Sequence, residues 1–302
     1  MLMADHVNTG MVSVIIPAKN EGRRIARTLT AVLAQDFAGP YEVIVVDNGS
    51  TDGTGEEARR FPVTVLEEPR PGRAQARNAG IRSASGEILV FLDADCAPQS
   101  SWLRELLIPF SEPDVGCVAG EILPTDIETE LHRYLSKIGY FSQKTTLSHP
   151  FRPFAQTGNA AYRKSVIDMI GLFDEGLLSG QDADLTWRML LETDKRLEFA
   201  ETAIVYHPYP KESRGFFKQR MRHAYGSVAL FVKYRSYMPV KGKKETYWEY
   251  RALLKRALRT ALAMVLNKNR DDVREQWFLV LAELSAKTGR VLGSIERRIW
   301  YL

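Results

Sequence analysis

Residues 86–96 (GEILVFLDADC) constrain the fold of this chain more than any other stretch. Their apolar run has the length and composition of a fully buried strand, and it ends abruptly at Asp93, Ala94 and Asp95. Side chains two positions apart in an extended chain point the same way. Asp93 and Asp95 can therefore converge on one point, in a crevice beyond the carboxyl end of the strand.

Two converging carboxylates repel each other unless a cation lies between them. Hard oxygen ligands without a nearby Cys ligand suit Mg²⁺ or Mn²⁺, ions that keep positions open for the phosphate oxygens of a substrate. The alternative is that both aspartates only end the strand and cap the next helix. The rest of the chain has to decide between these interpretations.

The length and composition describe an ordinary globular protein. A chain of 302 residues can bury a large core, as one α/β domain or as a domain with a helical appendage. Apolar residues make up 45% of it and charged residues 26%, and no run has the roughly 18 apolar residues of a membrane span. The N-terminus lacks an export signal, and the two cysteines are too few to staple the fold. These features predict a cytoplasmic protein in a reducing compartment.

The net charge of +4 hides an uneven distribution of charge. Residues 1–210 carry 20 Lys and Arg side chains and 29 Asp and Glu side chains, a net charge of −9, whereas residues 211–302 carry 21 and 8, a net charge of +13. An acidic part suits capture of a metal ion, and a basic part suits anionic surfaces such as lipid headgroups or phosphates. Solvated helix faces would account for the same charges.

Strand and helix patterns alternate through the first hundred residues. Strands are predicted at residues 12–16 (ended by Pro17), 42–47 and 63–66, and helices at 21–35, from Gly72 onward and at 102–110. Such βαβ units predict a doubly wound, mostly parallel sheet. The chain has neither GxGxxG nor GxxxxGK[ST], which disfavours dinucleotide-binding and P-loop proteins.

Two loops at the predicted carboxyl edge suit a nucleotide. Residues 47–55 (DNGSTDGTG) are small enough to let the backbone approach a ligand, and Asp47 stands where α/β proteins place a carboxylate against a ribose or base; an ordinary turn is the alternative. Residues 70–81 open a helix that carries Arg73 and Arg77. One of these arginines could reach a diphosphate, although the polar residues of this helix cannot all face the same side.

Four stretches together resemble the family 2 glycosyltransferases, nucleotide-sugar enzymes of the GT-A fold. They are residues 13–21 (SVIIPAKNE), 45–54 (VVDNGSTDGT), 72–81 (GRAQARNAGI) and 91–96 (FLDADC), and they stand in the order and spacing of that family. The resemblance covers about residues 11–235. It implies a GT-A α/β fold, a nucleoside diphosphate sugar as donor, and Mn²⁺ or Mg²⁺ as cofactor.

The same resemblance implies a set of donor-site residues. Pro17, Glu21, Asp47 and Arg77 would seat the nucleotide, Asp93 would lie near the ribose and diphosphate, and Asp95 would bind the metal with Asp93 beside it. His207 follows a β-branched run at the distance where some relatives have a further metal ligand. A lone His is otherwise often structural.

Transfer of a sugar with inversion needs a base on the acceptor hydroxyl and cations on the departing diphosphate. Residues 178–190 (LSGQDADLTWRML) put Asp182 and Asp184 at the start of an amphipathic helix, where one of them could only cap the helix. The family wording is close to GEDxDL, which maps the catalytic base onto Asp182. Gln181 replaces the family's Glu and changes the charge beside that base.

Two more segments resemble family elements. Residues 156–166 (QTGNAAYRKSV) match the segment lining the donor-sugar and acceptor pocket, which would include Gly158 and Asn159 together with Gln181. In the basic helix predicted at 211–226, Arg222 and His223 match the family's QxxRW element with His in place of Trp. Arg222 can neutralise a leaving diphosphate, whereas the stacking contact of the indole is lost.

Beyond residue 241 the resemblance ends. Two amphipathic helices are predicted at 247–266 and 276–295, separated by the polar NKNRDD. They could pack on the catalytic domain, lie on an anionic membrane surface, or pair between subunits. We expect a catalytic domain over 1–210 and a basic helical region over 211–302, in which 211–240 would close over the active site and 241–302 would form the amphipathic helices.

The sequence thus predicts an inverting, metal-dependent glycosyltransferase with a C-terminal helical extension. Its acceptor would be a saccharide or a lipid-linked molecule of cell-envelope or exopolysaccharide synthesis, it would contact the inner face of the membrane peripherally, and nucleic acid is not among its expected partners. One alternative is a nucleotidyltransferase that uses the same metal site and releases pyrophosphate. The other is a degenerate relative that binds another transferase at a membrane.

Overall fold

The structure is a computed structural model that describes residues 10–238, 242–266 and 270–301. The described residues do not include residues 1–9, to which the expectation of no export signal refers. They also leave out part of the polar segment at 267–272. The chain forms two compact units. The first runs to Thr125 and resumes over Phe141–Gly176 and Gln181–Pro208; the second takes in Asp126–Tyr140, Leu177–Gly180 and the chain from Tyr209 onward.

The first unit is an α/β structure around one sheet. Its strands are β1 (Val12–Ala18), β2 (Tyr41–Asp47), β3 (Thr64–Glu67), β4 (Ile88–Leu92), β5 (Ala97–Pro98), β6 (Val115–Pro124), β7 (Asn159–Arg163) and β8 (Arg196–His207). Its helices are α1 (Ile25–Leu33), α2 (Thr54–Ala58), α3 (Arg73–Ser83), α4 (Trp102–Leu107) with a 3₁₀ turn (Ile108–Ser111), and, further along the chain, α6 (Gln143–Leu147), α7 (Lys164–Ile170) and α8 (Gln181–Glu192).

The eight strands lie in the order β3-β2-β1-β4-β7-β6-β8-β5. The first four are mutually parallel, so the carboxyl ends of β1, β2 and β4 meet at one edge, as the βαβ pattern predicts. Beyond β4 the sheet is mixed: β7 runs antiparallel to both β4 and β6, and β6 pairs with β8 in parallel. This half of the sheet brings β8, which ends at His207, beside β6.

Both faces of the sheet are covered, which confirms the doubly wound arrangement. Alternate residues of β1, β2 and β4 enter two separate cores, because successive side chains of a strand point to opposite faces. Helix α1 packs on one core through Ile25, Leu29 and Val32, and α3 packs on the other through its buried alanines and Ile81. The continuous apolar runs of these strands follow from this two-sided burial.

Two predicted boundaries are wrong for identifiable reasons. Pro17 does not end the first strand but lies inside β1, paired with Val46 of β2. The pairing of β1 with β4 ends at Ile15, so no ladder bond on that side is lost through the missing N–H of Pro17. The first helix begins at Ile25 rather than at residue 21, because residues 21–24 form a turn in which the N–H groups of Arg24 and Ile25 both donate to the Glu21 carbonyl.

The second unit is helical in the part of the chain that the structure describes. It contains α5 (Glu130–Lys137), α9 (Ser213–Tyr234), α10 (Lys243–Val265) and α11 (Arg270–Glu296), so the two predicted C-terminal helices are present with slightly longer bounds. Helices α9 and α11 approach so closely that a Cβ at Gly289 would stand 2.2 Å from the backbone oxygen of Met221. Among the residues described, no helix combines the length and the apolarity that crossing a membrane requires.

Candidate active site at the carboxyl edge of the sheet

Three loops lie at the carboxyl edge of β1, β2 and β4; they carry Glu21, Asp93 and Asp95, while Asp47 is the last residue of β2. Two of these loops are tied together. The backbone N–H of Thr51 donates to the side-chain oxygen of Asn20 (2.9 Å), and the N–H of Gly22 donates to the Asp52 carboxylate (3.0 Å). Asn20 adopts a left-handed backbone conformation (φ 57°), which Asn tolerates better than most residues. The loops after β1 and β2 therefore form one connected surface.

Glu21 and Asp47 lie on this surface, whereas Pro17 lies within β1, one residue before the end of the strand. The N–H of Glu21 donates to the Thr54 hydroxyl (2.8 Å), and the Asp47 carboxylate accepts from the N–H of Ser50 (2.9 Å). Burial raises the pKa of Glu21, and the neighbouring Asp95 carboxylate adds to this shift. Ordinary turn bonds thus position these two acids at the end of the strands while both stay partly exposed.

The structure brings Asp93, Asp95 and His207 together although the histidine is more than a hundred residues away in sequence. The Nε2 atom of His207 is 3.5 Å from the Asp95 carboxylate and 3.9 Å from the Asp93 carboxylate. The Nδ1 atom of His207 lies 2.8 Å from the carbonyl oxygen of Pro208. Because a carbonyl oxygen can only accept, Nδ1 carries the hydrogen, and in the neutral imidazole Nε2 presents a lone pair toward the two carboxylates.

Two residues of this cluster escaped the sequence analysis. Arg24 donates to both the Glu21 carboxylate (2.9 Å) and the Asp95 carboxylate (3.3 Å), a contact between loops that the sequence spacing does not reveal. The Cys96 thiol also lies close: it shares with Asp95 and His207 a group of ligand atoms within 4.8 Å of one another. The expectation that no Cys stands near the carboxylates is therefore wrong, since the chain turns back directly after Asp95.

The Cys96 thiol is nevertheless a poor metal ligand. Its side chain is fully buried, and this burial, reinforced by the neighbouring carboxylates, raises its pKa well above the usual value. A thiol binds a metal as the thiolate, which this environment disfavours. The donor set that remains consists of carboxylate oxygens and one imidazole nitrogen, which suits Mn²⁺ or Mg²⁺ better than a soft metal.

Arg77 is a buried cation behind the carboxylates. Its guanidinium is 3.4 Å from Asp93 and 3.5 Å from the side-chain oxygen of Gln181, and its Nε has no hydrogen-bond partner among the described residues. Burial lowers the pKa of Arg77, while the Asp93 and Asp182 carboxylates oppose that shift. Burial also disfavours ionisation of Asp93, but Arg77 prevails and keeps the pKa of Asp93 below its usual value. Asp93 is therefore held as a carboxylate.

The two aspartates that begin α8 have different environments. Asp184 is fully buried and accepts from Nε of Arg188 (3.0 Å), whose guanidinium also donates to the carbonyl oxygens of Gly171 and Leu172. Asp182 is only partly buried, in the first turn of the helix, and contributes to the electrostatic field at Arg77. Asp184 thus helps to hold the loop before α8 through Arg188, whereas Asp182, the base predicted from the sequence motif, keeps part of its surface exposed.

Gly158 and Asn159 have separate roles. A Cβ at Gly158 would stand 3.3 Å from the Asp93 carboxylate, so the glycine makes room for that side chain. Asn159 has no exposed surface. Its amide donates to the carbonyl oxygens of Glu121 (2.9 Å) and Ala203 (2.8 Å) and accepts from Nε1 of Trp102 (2.7 Å). Both amide hydrogens and the amide oxygen thus form hydrogen bonds inside the protein. Asn159 therefore links β7 to β6, β8 and α4.

Arg222 and His223 lie on α9 in the second unit, where both side chains are exposed. Gln219 of the same helix accepts from the Tyr140 hydroxyl (3.3 Å). The helix extends from Ser213 to Tyr234, well past the segment for which the sequence predicted it.

Comparison with known proteins identifies the family. The sequence model of Glycosyl transferase family 2 matches residues 13–171, which is more than half of the chain. The glycosyltransferase AglE of Haloferax volcanii is 38% identical over 230 residues, which are 73% of this chain and 74% of that protein. The poly-β-1,6-N-acetyl-D-glucosamine synthase of Staphylococcus epidermidis is 25% identical over 257 residues, 81% of this chain but only 61% of that longer protein.

A solved structure is similar over nearly the whole chain. The mannosyltransferase PcManGT from Pyrobaculum calidifontis, in complex with GDP-Man and Mn²⁺, superposes with a TM-score of 0.68 and 25% sequence identity, covering 95% of this chain and 88% of that protein. This match confirms the α/β fold class with a helical C-terminal region. The chain belongs to glycosyl transferase family 2 and is a glycosyltransferase.

Proposed function

We propose that this glycosyltransferase moves a sugar with inversion from a nucleoside diphosphate sugar to an acceptor hydroxyl, and that it depends on Mn²⁺ or Mg²⁺. The observation that carries the proposal is the convergence of the Asp93 and Asp95 carboxylates and the Nε2 atom of His207 at the carboxyl edge of the sheet. Ligands of α/β proteins bind at this edge.

The residues present fit a hard divalent cation. Asp95 would hold it, with Asp93 beside it and His207 offering Nε2 as a nitrogen ligand. When bound, such an ion supplies positive charge to the diphosphate that leaves with the nucleoside. The complex of PcManGT with GDP-Man and Mn²⁺ supports this choice of donor and metal.

The protein's own residues would seat the donor. Asp47 and Glu21, with Pro17, would contact the nucleoside across the surface made by the first two loops. Arg77 would keep Asp93 ionised and oriented, because it is buried and, among the residues that the structure describes, Asp93 is the carboxylate with which it forms an ion pair. Because Gln181 is neutral, it does not offset the positive charge of Arg77, which would therefore act on the Asp93 and Asp182 carboxylates.

Asp182 would act as the base. Inversion is a single displacement in which the acceptor oxygen attacks the anomeric carbon, the bond to the diphosphate breaks, and the hydroxyl proton passes to a carboxylate. Asp182 is partly exposed at the start of α8, whereas Asp184 is engaged with Arg188. On the family motif alone, we assign to Arg222 and His223 the role of offsetting the charge of the leaving diphosphate.

We propose a saccharide or lipid-linked acceptor in cell-envelope or exopolysaccharide synthesis. The names of the relatives support a role in glycan synthesis, since one of them is a poly-β-1,6-N-acetyl-D-glucosamine synthase. A peripheral position on the inner face of the membrane belongs to the same proposal. In this proposal the metal and the base belong to the unit that carries the sheet, and the basic C-terminal helices would face the membrane.

The Asp182→Asn variant tests the assignment of the base. We expect transfer, measured as release of nucleoside diphosphate and not pyrophosphate, to fall by about 10²- to 10⁴-fold, because general base catalysis supplies about that much. Nucleotide binding should stay within about twofold of the parent protein, since Asp182 is not a donor ligand in this scheme. Asp168→Asn, an exposed aspartate paired with Lys164, is the matched control and should keep full activity. Turnover of Asp182→Asn near that of the control would remove Asp182 from the base role.

A further inference from the structure

Helix α10 has a packed side and an apolar side that nothing covers among the described residues. Thr246, Leu253 and Thr260 recur every seven positions and are buried on the packed side. Leu254, Leu258, Leu262 and Val265 are 60%, 62%, 59% and 81% exposed. At about 100° per residue, these four side chains form a stripe on the side of the helix that faces away from Leu253. We call this stripe the outer face of α10.

A row of cations borders the outer face. Arg251, Lys255 and Arg259 are spaced four residues apart, so they line one edge of the apolar stripe. Within the described chain neither Lys255 nor Arg259 forms an ion pair. Between residues 250 and 266 the sequence has four basic residues and no acidic one.

The acidic residues at the start of α10 are already engaged within the unit. Glu245 accepts from the N–H of Gly242 (3.0 Å), and Glu249 accepts from the ammonium group of Lys287 on α11 (2.7 Å). The positive charge of the row therefore has no counterpart on its own helix.

A groove between α10 and α11 continues this surface. Its volume is about 780 Å³, and its lining combines the cations Lys255, Arg256 and Arg259 with the apolar Ala263 and Val273 and one acid, Asp272. Arg256 is paired with Glu283 of α11, and Asp272 is the acid in the lining, so Lys255 and Arg259 leave the groove with an excess of positive charge. Cations beside apolar walls match a phosphate headgroup and the start of its acyl chain.

The charge pattern decides which partner fits. If two copies of this chain met through their outer faces, the two rows of cations would repel each other, and neither face would supply an acidic residue to offset them. An anionic bilayer offers acyl chains to the leucines and phosphates to the cations. Tyr247 and Trp248, 59% and 58% exposed at the start of α10, are residue types that favour the interface between lipid and water. We infer that the outer face of α10 binds the surface of an anionic phospholipid bilayer.

This inference rests on the proposed membrane position and assigns it to one surface, the outer face of α10. Vesicle flotation tests that surface without requiring any transfer reaction. The full chain is mixed with vesicles of phosphatidylcholine alone or with about one third phosphatidylglycerol. We expect binding to the anionic vesicles that weakens with added salt, and little binding to the neutral ones. Leu258→Glu/Leu262→Glu should lower the partition coefficient about tenfold or more, because it places two charges where acyl chains would be.

Three controls make the result decisive. Lys255→Glu/Arg259→Glu should also lower the partition coefficient about tenfold or more, whereas Arg60→Glu/Arg82→Glu, which makes the same change of net charge on the other unit, should bind as the parent protein does. Met169→Glu replaces an apolar residue that is 63% exposed on α7, in the other unit, and should have no effect. Retained nucleotide binding in all variants shows that they are folded and separates this inference from the proposed catalytic function.

Three results would overturn the inference. The first is binding of Leu258→Glu/Leu262→Glu to the same extent as the parent protein. The second is equal binding to neutral and anionic vesicles. The third is a lipid-free dimer that the leucine variant converts to monomers, which would assign the outer face to a second copy of the chain.

Discussion

Replacing Asn159 by alanine measures how strongly the sheet holds the site together. The asparagine amide has no exposed surface and makes three hydrogen bonds, to Trp102, Glu121 and Ala203. Alanine would leave one indole N–H and two carbonyl oxygens buried without this partner. At about 1 to 1.5 kcal/mol for each lost bond, the free energy of unfolding should fall by about 3 to 5 kcal/mol.

Guanidinium unfolding followed by circular dichroism and tryptophan fluorescence measures this loss. Trp102→Phe removes the indole bond together with part of a fully buried side chain and provides the comparison. The double variant should lose less than the sum of the two single losses, because the bond between Trp102 and Asn159 is counted in both. A loss below about 1 kcal/mol for Asn159→Ala would show that the amide does not connect these strands, and the account of the pocket wall would fail.

Three further predictions concern other parts of the chain. Gly289→Ala should destabilise the second unit by about 1 to 3 kcal/mol in thermal unfolding, because its Cβ would press on the backbone oxygen of Met221. Gly215→Ala, where the nearest atom is 3.8 Å away, should be neutral or stabilising in the same assay. Equal effects of the two substitutions would refute the close helix contact. Partial burial disfavours ionisation of Glu42, but bonds from Ser13 and Ser85 outweigh it and lower the pKa of this carboxyl. The stability that Glu42 adds should therefore be fully present above its ordinary pKa and be lost as the pH falls through its lower folded pKa. Glu42→Gln should accordingly be less stable than the parent protein at neutral pH and equally stable in acid. A stability difference that does not depend on pH would contradict this. Burial raises the pKa of both the Cys96 and Cys117 thiols, so a thiol reagent should label neither in the native protein and both after unfolding, and rapid native labelling would contradict their burial.

The parallel half of the sheet could be predicted because its strands are short, apolar and buried on both faces. The run at 88–92 has no charged residue, and the acids that follow it stand at the carboxyl edge as expected. The antiparallel part was not foreseen. Strand β7 lies between β4 and β6 although all three are distant in sequence, and the patterns of the individual strands do not encode such pairing.

The candidate site shows the same division. Spacing within one loop predicted that Asp93 and Asp95 point the same way, and the family motifs suggested His207. The bond from Arg24 to Asp95 and the pairing of Asp184 with Arg188 depend on how side chains meet in three dimensions. Asn159 was predicted as a pocket residue from its motif, but only the structure shows that its amide is used within the core.

Calorimetric titration with UDP, GDP and dTDP tests the central claim most directly. Each nucleotide is added to the full chain once with Mn²⁺ and once with EDTA, and the series is repeated with Asp95→Ala. We predict that one nucleotide binds with Mn²⁺ and that its affinity falls by at least about tenfold with EDTA or in the variant, because the diphosphate charge then loses its cation. Equal affinity with and without the metal, or no binding of any nucleotide, would contradict the proposed metal-diphosphate site at Asp93, Asp95 and His207.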